Sequence, residues 1–139
     1  MRFIDLLLLY INNYYKPSNG FVILGQSEKV KSQQNTIVIS ETGGQAARQP
    51  DLLCESRVQV YVQAATDILG HTEILKLESF LANRFNADVI DKSGKVVGKI
   101  TAINPVDRPI QLGSNGIVYQ YVQNYEISWF KSNINKEIL

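Results

Sequence analysis

Thr36-Ile37-Val38-Ile39-Ser40-Glu41-Thr42-Gly43-Gly44 opens a polar run that ends at Pro50, and Arg57-Val58-Gln59-Val60-Tyr61-Val62-Gln63-Ala64 follows it. The second stretch alternates without a break. Val58, Val60, Val62 and Ala64 fall on one face, and Arg57, Gln59, Tyr61 and Gln63 on the other. Such a period of two marks an antiparallel strand buried on one side. Thr36 to Glu41, rich in β-branched residues, reads as a neighbouring strand. Thr42 to Asp51 has no apolar period and is expected to form an exposed, mobile loop between them.

Helices complete the pattern. From Ile74, apolar residues recur at Leu77, Leu81 and Phe85, with Leu75 and Phe80 beside them. That is helical spacing. Asp67 is placed to cap this helix, with Gly70-His71-Thr72-Glu73 at its start. A first helix is expected from Phe3 to about Tyr15, where Ile4, Leu7, Leu8, Ile11 and Tyr15 form a stripe widened by Leu6, Leu9 and Tyr10. Burial against the domain's own sheet is the simpler use of so broad a stripe; a partner surface is the other.

The remaining segments read as strands and turns. Phe21 to Leu24 is a short strand and Glu28 to Asn35 a loop. Ala87 to Ile90 and Lys95 to Ile103 form a hairpin about Asp91-Lys92-Ser93-Gly94. Arg108 to Gly113 is irregular, with a turn at Ser114-Asn115-Gly116. Ile117 to Phe130 is a last strand so long that a bulge near Gln123-Asn124 is expected. A polar tail, frayed from about Lys131, ends the chain. Two helices and about six strands predict one α+β domain over residues 1–139, mainly antiparallel, with both helices on one sheet face.

Composition bounds the function. The 139 residues are 45% apolar and 19% charged, ordinary for a folded domain. Lys and Arg total 14 against 13 Asp and Glu, so no general field draws in nucleic acid or an anionic membrane. The apolar start is interrupted by Asp5 and falls far short of the ~20 residues that span a bilayer, so neither a signal peptide nor a membrane segment is expected. One cysteine, Cys54, allows no intrachain disulfide.

Little in the chain reads as chemistry. His71 is the only histidine, and no metal-ligand spacing surrounds it or Cys54. A Cys54–His71 nucleophilic pair would need the two side to side. A Cys at a strand start and a surface His at a helix start are the plainer reading. Gly43-Gly44 lacks the Lys-Ser/Thr and the helix of a phosphate-binding loop. Glu41 and Glu55 flank the loop and would meet as an acid and a base only if it closed on itself. Lys92, Lys95 and Lys99 could touch phosphates, but lysines also guard exposed sheet edges. Tyr119, Tyr121 and Tyr125 could stack bases, yet no basic stripe accompanies them, so core or subunit packing is preferred. No cofactor, metal or catalytic residue is assigned.

The order of parts resembles the tail terminator (tail completion, tail-to-head joining) proteins of long-tailed bacteriophages, related sequences of which are called minor capsid proteins. The likeness rests on the apolar opening helix, the strand ending in Glu41-Thr42-Gly43-Gly44 before a polar loop, and the strand Arg57 to Ala65 with its following helix. It continues in Ile103-Asn104-Pro105, Leu112-Gly113 and Tyr121-Val122-Gln123-Asn124-Tyr125-Glu126-Ile127. It spans Phe3 to Phe130. The tyrosine-rich last strand and the segment Glu28 to Asn35 depart from the pattern.

The resemblance implies a structural virion protein, assembled in the host bacterial cytoplasm. It would form a ring, commonly a hexamer, capping the tail tube and joining it to the head connector or stopper protein, with DNA passing through the hole unread. Contacts are then expected from Glu41, Thr42, Gly43, Gly44, Gln45, Arg48 and Gln49, with Arg48 as anchor, and from Tyr119 and Tyr121. A ring needs two different adhesive surfaces on each subunit, for which the first helix and the aromatic last strand are the candidates. The competing expectations are a non-viral α+β binding module acting as a dimer through its sheet edge, and an enzyme with an unrecognised carboxylate or Cys54 site.

Overall fold

In a computed structural model, which describes residues 2–18, 20–25, 35–45, 53–82, 85–114 and 118–131, the chain forms two helices and seven strands. In order these are α1 (Phe3–Tyr14), β1 (Val22–Gly25), β2 (Thr36–Gln45), β3 (Cys54–Ala64), α2 (Asp67–Ala82), β4 (Phe85–Ile90), β5 (Val96–Pro105), β6 (Ile110–Ser114) and β7 (Tyr119–Lys131). One sheet runs β1-β2-β3-β7-β5-β4, and β6 also pairs with β7. Only β1 and β2 are parallel; every other pair is antiparallel. This is the α+β domain read from the sequence.

β7 organises the sheet. On one side it pairs with β3 without a break from Trp129 opposite Cys54 to Tyr119 opposite Ala64. On its other side β5 occupies Tyr125 to Lys131, and β6 takes over from Val122 to Tyr119. The bulge expected near Gln123-Asn124 is therefore not in β7. That point is where its neighbour changes, and the register shifts fall in the partners, between Ile100 and Ala102 and between Gln111 and Gly113. Asp107 closes the gap, accepting hydrogen bonds from the Asn124 backbone N–H (3.0 Å) and side-chain amide (2.9 Å).

Directly paired residues share a face. Ile37 and Ile39, Val58, Val60 and Val62, and Tyr121, Tyr125 and Ile127 therefore lie on one side of the sheet, all of them buried. Both helices cover that side. The Phe3 ring of α1 meets Trp129 at 5.0 Å, and Gly70 of α2 sits against Tyr121 and Ala64. Each large side chain buried this way contributes about 1.5–3 kcal/mol. The two helices meet through Phe80, whose ring lies 5.8 Å from Tyr10 and 5.2 Å from Tyr15.

Several expectations need correction. Thr42 to Gln45 is not loop: β2 continues through it, with a bulge between Glu41 and Gly43. Pairing with β3 supplies the backbone bonds that the residues' polarity did not announce. The rest of that loop, including Arg48 and Gln49, lies outside the described residues, as do most of Glu28 to Asn35 and the tail beyond Lys131. α2 starts at Asp67 rather than near Gly70, and its cap is Thr66, whose hydroxyl accepts from the Leu69 N–H at 3.2 Å. Phe85 belongs to β4 and is exposed, and Leu75 faces solvent. Arg108 to Gly113 is not irregular throughout; its second half is β6. The broad stripe of α1 is buried against the sheet, the simpler of the two uses expected for it, with Phe3, Ile4, Leu6, Leu7, Tyr10 and Ile11 all buried. The aromatic face of β7 is core as well, so neither serves as the adhesive surface that the ring reading gave them.

Candidate functional site

The bulge at Thr42 decides what the end of the β2–β3 hairpin shows. Glu41 pairs with Val58, which points to the helices, so Glu41 lies on that side, where it adds to a rise in the Arg2 pKa that comes first from the Arg2 hydrogen bond and ion pair with Asp5. The extra residue resets the alternation. Gly43 then pairs with Arg57, on the face away from the helices.

Across that outward face the register builds a row of Gly43, Arg57, Glu126 and Asn104. Gln45, Glu55, Ser128 and Ala102 make the next row of the same parity. Gly43, Arg57, Glu126 and Asn104 of the first row and Glu55 and Ser128 of the second line an open groove of about 400 Å³, with Thr42 and Gly44 also bordering it. Gly43 has no side chain to fill the place beside Arg57. The Arg57 guanidinium reaches Glu126 at 3.3 Å, with both side chains more than half exposed, so the pair shapes the groove more than it stabilises the fold. Glu55 stands exposed in the adjoining row. The groove thus offers a fork of donors, two carboxylates and a stretch of bare backbone, which suits polar docking.

Gly44 is required by close approach. A β-carbon there would collide with the backbone carbonyl of Glu55 and come within 2.8 Å of the Ser56 Cα, and its φ is +153°. Gly43 has the same φ of +153°, which strains any L side chain, but a β-carbon there would meet nothing within 4 Å.

The outward face changes character further along. Val38, Tyr61, Val122 and Ile110 form one cross-strand row, an apolar line over four strands that ends on β6. Val122 is buried, whereas Ile110 is 49% exposed and its neighbour Leu112 56% exposed. Beside them Gln111 donates to Asp67 Oδ1 (3.3 Å), tying β6 to the first turn of α2, where Ile68 is 78% exposed. This is the apolar surface that reading the sequence missed. Its one signal was the alternation of Ile110 and Leu112 in a segment otherwise read as irregular.

The tyrosines serve the interior. Tyr121 is buried, its ring 5.7 Å from His71 and its hydroxyl donating to Asp67; burial and that carboxylate push its pKa up to about 12. Tyr125 is wholly buried and donates to Gln123 Oε1 (2.8 Å), and burial raises its pKa well beyond the ordinary phenol range. Gln123 in turn donates to Glu78 and to the Asp107 carbonyl. Tyr121 is therefore corrected from a contact residue to a core residue, and Tyr119 is half-buried against the same core.

The chemical pairings weighed above do not form. Cys54 is level with Trp129 on β7 and His71 packs on Tyr121, eight residues away, or about 26 Å along a strand. Glu41 and Glu55 sit on opposite faces. Lys99 reaches Asp88 at 4.0 Å across the β4–β5 hairpin, but it stands on β5, which is paired on both sides, and so guards no edge. Among the described residues no three His, Cys, Asp or Glu side chains group as metal ligands, and no helix is long and apolar enough to cross a membrane. No protein-family profile matches the chain, and no curated protein is similar to it in sequence.

Proposed function

We propose that the protein is a structural virion subunit. It closes with copies of itself into a ring, of six by the family resemblance, that caps the tail tube of a long-tailed bacteriophage, ends its growth and joins it to the head connector. One observation carries most weight. The subunit presents two unlike surfaces on one rigid sheet, a polar groove beside Glu41-Thr42-Gly43-Gly44 and an apolar row that runs out at β6. A ring that also docks on another component needs unlike surfaces on each copy. The groove is the docking surface for the tail tube, because it holds the segment that carries the resemblance.

Purified protein added to tails that lack it tests this directly. Completed tails, counted by electron microscopy, should rise to normal yield. Glu55→Lys, which reverses an exposed charge in the groove, should fold normally and lose completion at least tenfold. Normal completion by this variant would remove the groove from the account. A two-fold dimer joined edge to edge through β6 is the rival reading; a mass in solution fixed at two copies, with tail tubes left bare, would favour it.

A further inference from the structure

We infer that the groove takes a segment of its protein partner that carries a basic side chain for Glu55 and Glu126 and an apolar one for Phe85. This rests on the reading of the groove as a docking surface and names the chemistry that docks there. The charges set the sign. Glu55, Arg57 and Glu126 are the charged residues that line the groove, two carboxylates against one guanidinium. The guanidinium is already paired with Glu126, whereas Glu55 takes part in none of the ion pairs among the described residues. The register makes the two carboxylates diagonal neighbours on β3 and β7, with Cα atoms about 7–8 Å apart. One lysine or arginine entering between them would neutralise the excess and meet both. An anion would face the same two carboxylates and find its one cation engaged. Lys99, in the row beyond, is held by Asp88 at 4.0 Å and leaves the balance unchanged.

The apolar contact comes from an exposed aromatic in the row of Glu55. Phe85 of β4 pairs with Ala102, Ala102 with Ser128, and Ser128 with Glu55, so all four share the outward face. Two residues on, Ala87 pairs with Ile100, which is buried and level with Trp129 on the helix side. Regular alternation would keep Phe85 on that side with Ala87. Asn86 between them has φ +54°, in the left-handed region that asparagine enters more readily than most residues. The chain turns over there, and Phe85 emerges on the other face, 69% exposed. Its strand is three places from that of Glu55, about 14 Å across the sheet. In an extended guest, residues four apart share a face and lie about 13 Å from each other, which matches that span.

A defined peptide tests the inference apart from the ring. The probe is a capped nine-residue peptide of serine and threonine, with arginine at its third position and leucine at its seventh. Two controls replace the arginine by glutamate or the leucine by serine. Each is titrated to about 5 mM into isotope-labelled protein, where millimolar binding shows as amide shifts in the NMR spectrum. The probe should shift the amides of Thr42, Gly43, Glu55 and Phe85. Its affinity should fall at least about threefold with Glu55→Gln or Phe85→Ala, both exposed positions, and further as salt rises from about 50 to about 300 mM. The controls should bind at least as weakly as the probe does to these variants. Equal binding of the glutamate peptide, shifts only outside the groove, or no shifts would overturn the inference. Completion of tails by the wild-type protein judges the docking reading separately. Completed tails without peptide binding would overturn the inference and leave the docking reading. Peptide binding with tails left bare would keep the chemistry of the groove and overturn the tail-tube reading, and neither result would overturn both.

Discussion

Gly44 and the buried tyrosines set the limits of what single residues can change. Because a β-carbon at Gly44 would run into the backbone of β3, Gly44→Ala should destabilise the domain by about 1–3 kcal/mol in urea unfolding. Gly43→Ala, which meets open space, should cost clearly less. Equal losses would show that the hairpin does not pack as described. Tyr15, Tyr121 and Tyr125 all have pKa values raised by burial above their ordinary 10. In the unfolded chain they release protons near pH 10; in the folded chain they hold them. Stability should therefore be level below pH 10 with respect to these groups and fall as pH rises beyond it. Tyr125, wholly buried, should contribute a slope of about 1.4 kcal/mol per pH unit, and Tyr125→Phe should remove that share. The urea midpoint measured from pH 8 to 11 checks both statements, and a midpoint unchanged to pH 11 would contradict them.

At the scale of elements, the parts with a clean apolar period were legible. The period of two in Val58 to Ala64 located β3, and the stripe Ile74, Leu77 and Leu81 located α2 and its buried side. The misses came where tertiary pairing, not local pattern, makes the element. Thr42-Gly43-Gly44-Gln45 reads as loop because its residues favour turns, yet β3 offers it a ladder. β6 is five residues long and exists because β7 outruns β5 and leaves an open edge. Phe85 continued the helical spacing by coincidence, since α2 stops at Ala82. The start of α2 turned on one hydroxyl that spacing cannot rank against a carboxylate next to it. Thr66→Ala should accordingly lower stability by about 0.5–2 kcal/mol, and Asp67→Asn, which leaves the Thr66 cap in place, should cost less. The reverse order in thermal unfolding would return the cap to Asp67. The groove was half legible. Its Thr42-Gly43-Gly44 segment stands out in the sequence, but Arg57, Glu126 and Asn104 join it only through register.

For the whole molecule, one sheet does two jobs. Its inner face, under α1 and α2, takes nearly all the apolar side chains that the sequence offered as possible adhesive surface. Its outer face keeps a polar groove at one level and an apolar row at another, four residues or about 13 Å apart along β7. In the proposed role, a subunit built this way would act by the shapes it offers. A stiff sheet fixes the angle between the two surfaces, and a fixed angle is what turns a repeated contact into a closed ring instead of an open filament. The most direct measurement is negative-stain imaging of purified protein mixed with growing tail tubes. One ring seated at the end of each tube, and tubes that grow no further, are the expected result. Bare tubes that keep lengthening, with the protein left in solution as single chains or pairs, would contradict it.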